Sequence, residues 1–104
     1  MLPSEVVIWQ CEAAGARHSY RAALDPAAGV YSLSLYDGPQ YGSLAETVQL
    51  GREPGEGIAI RASGQADGGR SIWVKALDPG LTFQVEDSAF GRATGRCIRD
   101  TGFN

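Results

Sequence analysis

Apolar residues recur at every second position along this chain, in short runs that Gly, Pro and Asp interrupt. A period of two sends successive side chains to opposite faces of a strand, so the pattern confines the chain to a meandering β-protein with helices nearly absent. Val6, Val7, Ile8 and Trp9 form a first strand that ends at Cys11, ahead of the small-residue turn Ala13-Ala14-Gly15. From His18 to Leu24, Tyr20, Ala22 and Leu24 alternate with Ser19, Arg21 and Ala23, and Asp25-Pro26 stops the run. Val30 to Tyr36 places Tyr31, Leu33 and Leu35 on one side, and Asp37-Gly38 supplies a strong turn signal.

The middle of the chain is less regular. Ser43 with Glu46 three residues on has the form of a capping box, yet Tyr41 to Thr47 is read as a loop leading to a strand near Val48 to Leu50. Glu53-Pro54-Gly55 breaks the chain, Ile58 to Ile60 opens a strand that continues into Arg61 and Ala62, and a glycine-rich loop follows. Ser71 to Ala76 returns, Asp78-Pro79-Gly80 turns, Leu81, Phe83 and Val85 alternate with polar residues, and the last strand carries Cys97 and Ile98. About eight short strands in a single domain over residues 1–104 predict an all-β fold, a small antiparallel barrel closed or nearly closed, because closure removes exposed edges. A two-sheet sandwich is the alternative. Side chains fill a barrel of this size, which directs the search for function to its surface.

At 104 residues the chain has room for one modest core. Its net charge of -3 and scattered basic residues give nucleic acid no electrostatic footprint. No apolar run approaches the roughly twenty residues of a membrane span, so no integral membrane segment is expected. The two cysteines, Cys11 and Cys97, bracket most of the sequence. Paired, they close a long loop worth up to about 4 to 5 kcal/mol and imply an oxidising compartment; the other reading is two buried free thiols. Pairing is expected, since both lie in strand-like sequence and no third cysteine competes. Met1-Leu2-Pro3-Ser4 shows neither the basic start nor the apolar stretch of an export leader.

Catalysis has little to work with. His18 is the one histidine, expected at the surface, and no nucleophile elbow, phosphate loop or zinc spacing is present. No enzyme activity, cofactor or metal is expected. Asp25, Asp37, Asp67 and Asp78 stand beside Gly or Pro, where a carboxylate ordinarily bonds the turn backbone.

The stretch from Arg61 to Ala76 carries the functional expectation. It reads as strand, glycine-rich loop and strand, with Ser63 on the loop and Trp73 and Lys75 on one face of the returning strand, so a hydroxyl and an ammonium are aimed at one acidic target. The plainer reading makes Gly64 and Asp67-Gly68-Gly69 a flexible connection, Trp73 a packing residue and Lys75 a solvated lysine. A further alternative is a small envelope module holding an apolar or glycan ligand at the barrel mouth with Tyr20, Tyr31, Tyr36, Tyr41 and Trp73.

Ile8-Trp9-Gln10-Cys11, Leu33-Ser34-Leu35-Tyr36-Asp37, Ala62-Ser63-Gly64, Trp73-Val74-Lys75 and the late Cys97 occur in the order seen in the membrane-bound or periplasmic inhibitors of c-type lysozyme, which the chain resembles over most of its length. The resemblance implies an eight-stranded barrel in a Gram-negative envelope, periplasmic or anchored to the outer membrane as a lipoprotein, with c-type lysozyme as partner. It implies that the Ser63-Gly64 loop enters the enzyme cleft, where Ser63 and Lys75 engage the catalytic carboxylates in charge-assisted hydrogen bonds. Asp67 stands where the family carries a tyrosine and Ala76 where it carries a glycine, and the Ser63 to Lys75 spacing is two residues shorter. Asp67 then puts a negative charge near the acidic cleft of the enzyme, repulsive unless Arg70 neutralises it.

Overall fold

A computed structural model describes residues 5–54, 60–77 and 82–103. The chain forms eight antiparallel strands: β1 (Glu5–Ala14), β2 (His18–Asp25), β3 (Val30–Asp37), β4 (Leu44–Glu53), β5 (Ile60–Ala66), β6 (Arg70–Leu77), β7 (Thr82–Asp87) and β8 (Gly91–Phe103). Each pairs with the next in sequence, and β8 returns to β1, closing the barrel. Among the described residues, one 3-10 turn at Asp67–Gly69 is the only helical element, and no helix is long and apolar enough to cross a membrane.

The closing seam is the longest ladder, with Glu5 to Ala14 of β1 set against Phe103 to Thr94 of β8. Cys11 lies directly opposite Cys97, and the two form a disulfide across 86 residues of sequence. The covalent bond therefore fastens the one ladder whose strands are remote in sequence, where chain entropy opposes pairing most. The strands approach closely there: a Cβ on Gly95 would overlap the Glu12 carbonyl and come within 2.8 Å of the Ala13 Cα. Only glycine fits that position.

Alternate residues of every strand fill the interior. Leu24, Leu33, Phe83, Val85 and Ile72 are completely buried, and Tyr20 and Tyr31 nearly so. Burying each such side chain contributes about 1.5–3 kcal/mol before the entropy of ordering it is counted. The expected alternation at Tyr31, Leu33, Leu35 and at Phe83, Val85 is the inward set of β3 and β7.

Several boundaries differ from the expectation. β1 continues past Cys11 through Ala14, because Glu12, Ala13 and Ala14 pair with both neighbouring strands. β4 starts at Leu44 rather than near Val48, with an irregularity between Leu35 and Tyr36 of β3 absorbing the change of register. Ser43 caps no helix; its carbonyl accepts the Asp37 N–H at 2.9 Å across the β3–β4 connection. Asp25 does serve its turn, accepting the Ala28 N–H at 3.1 Å. Asp78 lies outside the described residues.

Candidate functional site

Ser63 and Gly64 are not on a loop. β5 runs through both to Ala66, and the connection to β6 is the tight turn Asp67–Gly69. Gly68 and Gly69 take φ of 77° and 76°, the left-handed conformation that lets two strands reverse in so few residues. Gly64 serves packing instead: a Cβ there would stand 2.7 Å from the Gln49 carbonyl and 2.9 Å from Leu50 Cδ2. The glycine that resembles a loop signal marks a close approach between β4 and β5.

Because β5 is continuous, the faces of the hairpin are fixed. Ala62 and Val74 are paired and buried in the barrel, so their neighbours Ser63, Trp73, Arg61 and Lys75 face outward. The ladders lay these side chains out in two rows across the outside. One row is Gly51, Ser63, Trp73, Glu86 and Arg92; the other is Glu53, Arg61, Lys75, Gln84 and Thr94. Trp73 and Lys75 share a face of β6, and Ser63 lies on the same outer face from β5, on the neighbouring row to Lys75.

Glu53 lies opposite Arg61 in register, yet its carboxylate turns diagonally and accepts the Ser63 hydroxyl at 2.8 Å. Among the described residues, neither Arg61 nor Lys75 forms an ion pair. Arg61 Nε is buried and has no hydrogen-bond partner among the described residues. Glu53, Arg61, Trp73, Lys75, Gln84 and Glu86 line an open hollow of about 500 Å³, and the Trp73 indole is 44% exposed beside it. The far rim is neutralised, since Arg92 Nη2 reaches Glu86 at 2.6 Å.

Arg70 and Asp67 belong to a different place. Arg70 points into the end of the barrel, where Nη2 meets Glu46 Oε1 at 3.0 Å, Nε meets Asp87 Oδ2 at 3.4 Å and Nη1 donates to the Asp67 carbonyl at 3.1 Å. Glu46 Oε2 accepts the Asp67 N–H, and Asp87 Oδ1 accepts the N–H groups of Ala89 and Phe90. The Arg70 guanidinium also lies 4.7 Å from the Phe90 ring, which stacks on His18 with centroids 4.0 Å apart. His18 is therefore a half-buried stacking residue rather than a free surface group. Burial works against the charge on Arg70, but the bond to Glu46 and the negative charges of Asp87 and Glu46 outweigh it and raise its pKa. Burial, with Asp87 adding to it, pushes the Tyr20 phenol up to about 12. Arg70 thus completes the barrel end and does not neutralise the exposed Asp67 side chain at an outside contact.

The aromatic residues expected at a single mouth are divided. Tyr20 and Tyr31 are inside the barrel, and Trp73 is outside on β6. Tyr36 and Tyr41 meet edge to face at 5.7 Å, with the Arg21 guanidinium over both rings. Tyr41 takes φ of 54° in the β3–β4 connection, where its N–H donates to the buried Ser19 hydroxyl at 2.8 Å. It borders a second hollow of about 500 Å³ along the β1–β8 seam, with Arg96 and Ile98.

Among the described residues no cluster of His, Cys, Asp or Glu is disposed to hold a metal ion. Glu46, Asp87, Glu53 and Arg61 escaped the sequence reading as partners. Their roles come from cross-strand register, and the one local signal was the period-two spacing that puts Glu46 in line with Val48 and Leu50. No family model, curated protein or solved structure matches the chain.

Proposed function

We propose that this protein is an inhibitor of a c-type lysozyme in the envelope of a Gram-negative bacterium, periplasmic or anchored to the outer membrane. It acts by binding and has no catalytic activity of its own. The observation that carries the reading is Lys75: an ammonium without a partner among the described residues, beside the exposed Trp73, on the outer wall of a disulfide-closed barrel. A glycosidase cleft works with a pair of carboxylates. An ammonium delivered into such a water-poor cleft forms a charge-assisted hydrogen bond that a rigid scaffold does not have to reorganise to make.

In this reading the contact is a strand face and not an inserted loop. Lys75 and Trp73 form its centre, Ser63 lies on the adjacent strand, and Asp67 lies at the hairpin tip toward the rim. Ser63 reaches an enzyme carboxylate only by releasing Glu53. The net charge of -3 favours encounter with a basic enzyme, and the disulfide suits an oxidising compartment. Purified protein is expected to slow c-type lysozyme at micromolar concentration, and Lys75→Ala to lose that effect. Full lysozyme activity in the presence of the unaltered protein ends the proposal.

A further inference from the structure

Two cations stand side by side on the outer wall, and among the described residues neither is in an ion pair. Arg61 and Lys75 are direct cross-strand partners, both half-buried, in a position where like charges repel. The carboxylate that register offers Arg61 is Glu53, and Ser63 holds it at 2.8 Å on the diagonal. What remains is a buried, unbonded Arg61 Nε, a lysine ammonium, and an exposed indole bordering the same hollow of about 500 Å³.

We infer that Arg61 and Lys75 form a binding site for a single carboxylate, with Trp73 packing against the apolar group that bears it, and that the Ser63–Glu53 hydrogen bond keeps the site open. The guanidinium fork and the ammonium both complement a planar carboxylate. Glu53 on the near rim, which no cation pairs among the described residues, disfavours a second negative charge, and this selects a carboxylate over a phosphate dianion. Ser63 is then a positioning residue: freed from it, Glu53 swings onto Arg61 opposite and occupies the site from within. The inhibitor reading can use this site but is not needed for it, and the carboxylate is equally that of a protein side chain or of a small acid.

The test is a titration of the full chain with benzoate, followed by tryptophan emission; the one other tryptophan, Trp9, is buried in the barrel. Benzoate is expected to give a saturable change that benzyl alcohol and inorganic phosphate do not reproduce. Arg61→Gln and Lys75→Gln are each expected to weaken it about tenfold or more. Ser63→Ala weakens it as well, and adding Glu53→Gln restores it, a rescue that direct contact with Ser63 would not allow. An equal response to benzyl alcohol, or unchanged benzoate titration in Lys75→Gln, overturns the site even if Arg61→Gln fails to fold. Absence of rescue overturns the role given to Ser63. Benzoate binding without any slowing of c-type lysozyme retains the site and removes the inhibitor reading; inhibition that survives Arg61→Gln, with no response to benzoate, does the reverse.

Discussion

Arg61 and Arg70 belong to the same hairpin and meet opposite fates. Arg70 turns into the barrel end, where Glu46, Asp87 and the Asp67 carbonyl take its donors; Arg61 turns outward, where the carboxylate opposite it is held by Ser63 instead. The Asp87 side chain is fully buried, so its charge has no solvent to fall back on and depends on Arg70. Around Arg61 and Lys75 solvent still reaches the hollow, and there the fold tolerates cations that no described residue pairs. Charges that finish the scaffold are saturated from within the chain, whereas those left unsaturated on a rigid wall are available to a ligand.

The scaffold side of this contrast fails first at its seam. Reducing the Cys11–Cys97 disulfide is expected to destabilise the protein by about 4 kcal/mol, from the loop it closes, and thermal melts with and without reductant measure it. Arg70→Ala leaves Asp87 buried without its cation and is expected to cost about 3 kcal/mol. For a domain of this size that lowers Tm by on the order of 10 °C, and a drop as small as that of a surface variant would erase the distinction between the two arginines.

Tyr20 sharpens the same side through pH. Its phenol is raised to about 12 in the folded state from the ordinary 10.0, so above pH 10 the unfolded chain releases a proton that the folded chain retains. Stability is fully present below pH 10 and declines as pH rises toward 12. The alkaline limb of a melting-temperature profile shows this, and Tyr20→Phe is expected to flatten it. The smallest effect on the fold falls on the wall: Lys75→Ala is expected to change stability by less than about 0.5 kcal/mol, with removal of the repulsion from Arg61 offsetting lost contact. Chemical denaturation of that variant, set beside its binding defect, separates scaffold from site.

Much of this was legible residue by residue. The alternation through Tyr31, Leu33 and Leu35 named an inward face, because one buried side imposes a period of two whatever the neighbouring strands are. Asp25-Pro26 and Asp37-Gly38 marked strand ends by turn chemistry that acts within four residues. Reading failed where a long-range contact overrode a local signal. Ser63-Gly64 resembles a loop, yet Gly64 pairs with Ile72 within β5 and is glycine because the Gln49 carbonyl leaves no space for a side chain. Ser43 and Glu46 resemble a helix cap, yet Glu46 belongs to the barrel end because Arg70 and the Asp67 N–H claim its carboxylate.

By itself the sequence determined an all-β meander of about eight strands, the two cysteines available to close it, and the shared face of Trp73 and Lys75. These follow from interactions between near neighbours in the chain. Tertiary structure alone decided that β8 closes on β1, that Glu53 bonds Ser63 rather than Arg61, and that one arginine of the hairpin is consumed by the fold while the other is left open. The reason is closure: once the strands form a ring, register brings together charges far apart in sequence, and burial determines which of them must be paired.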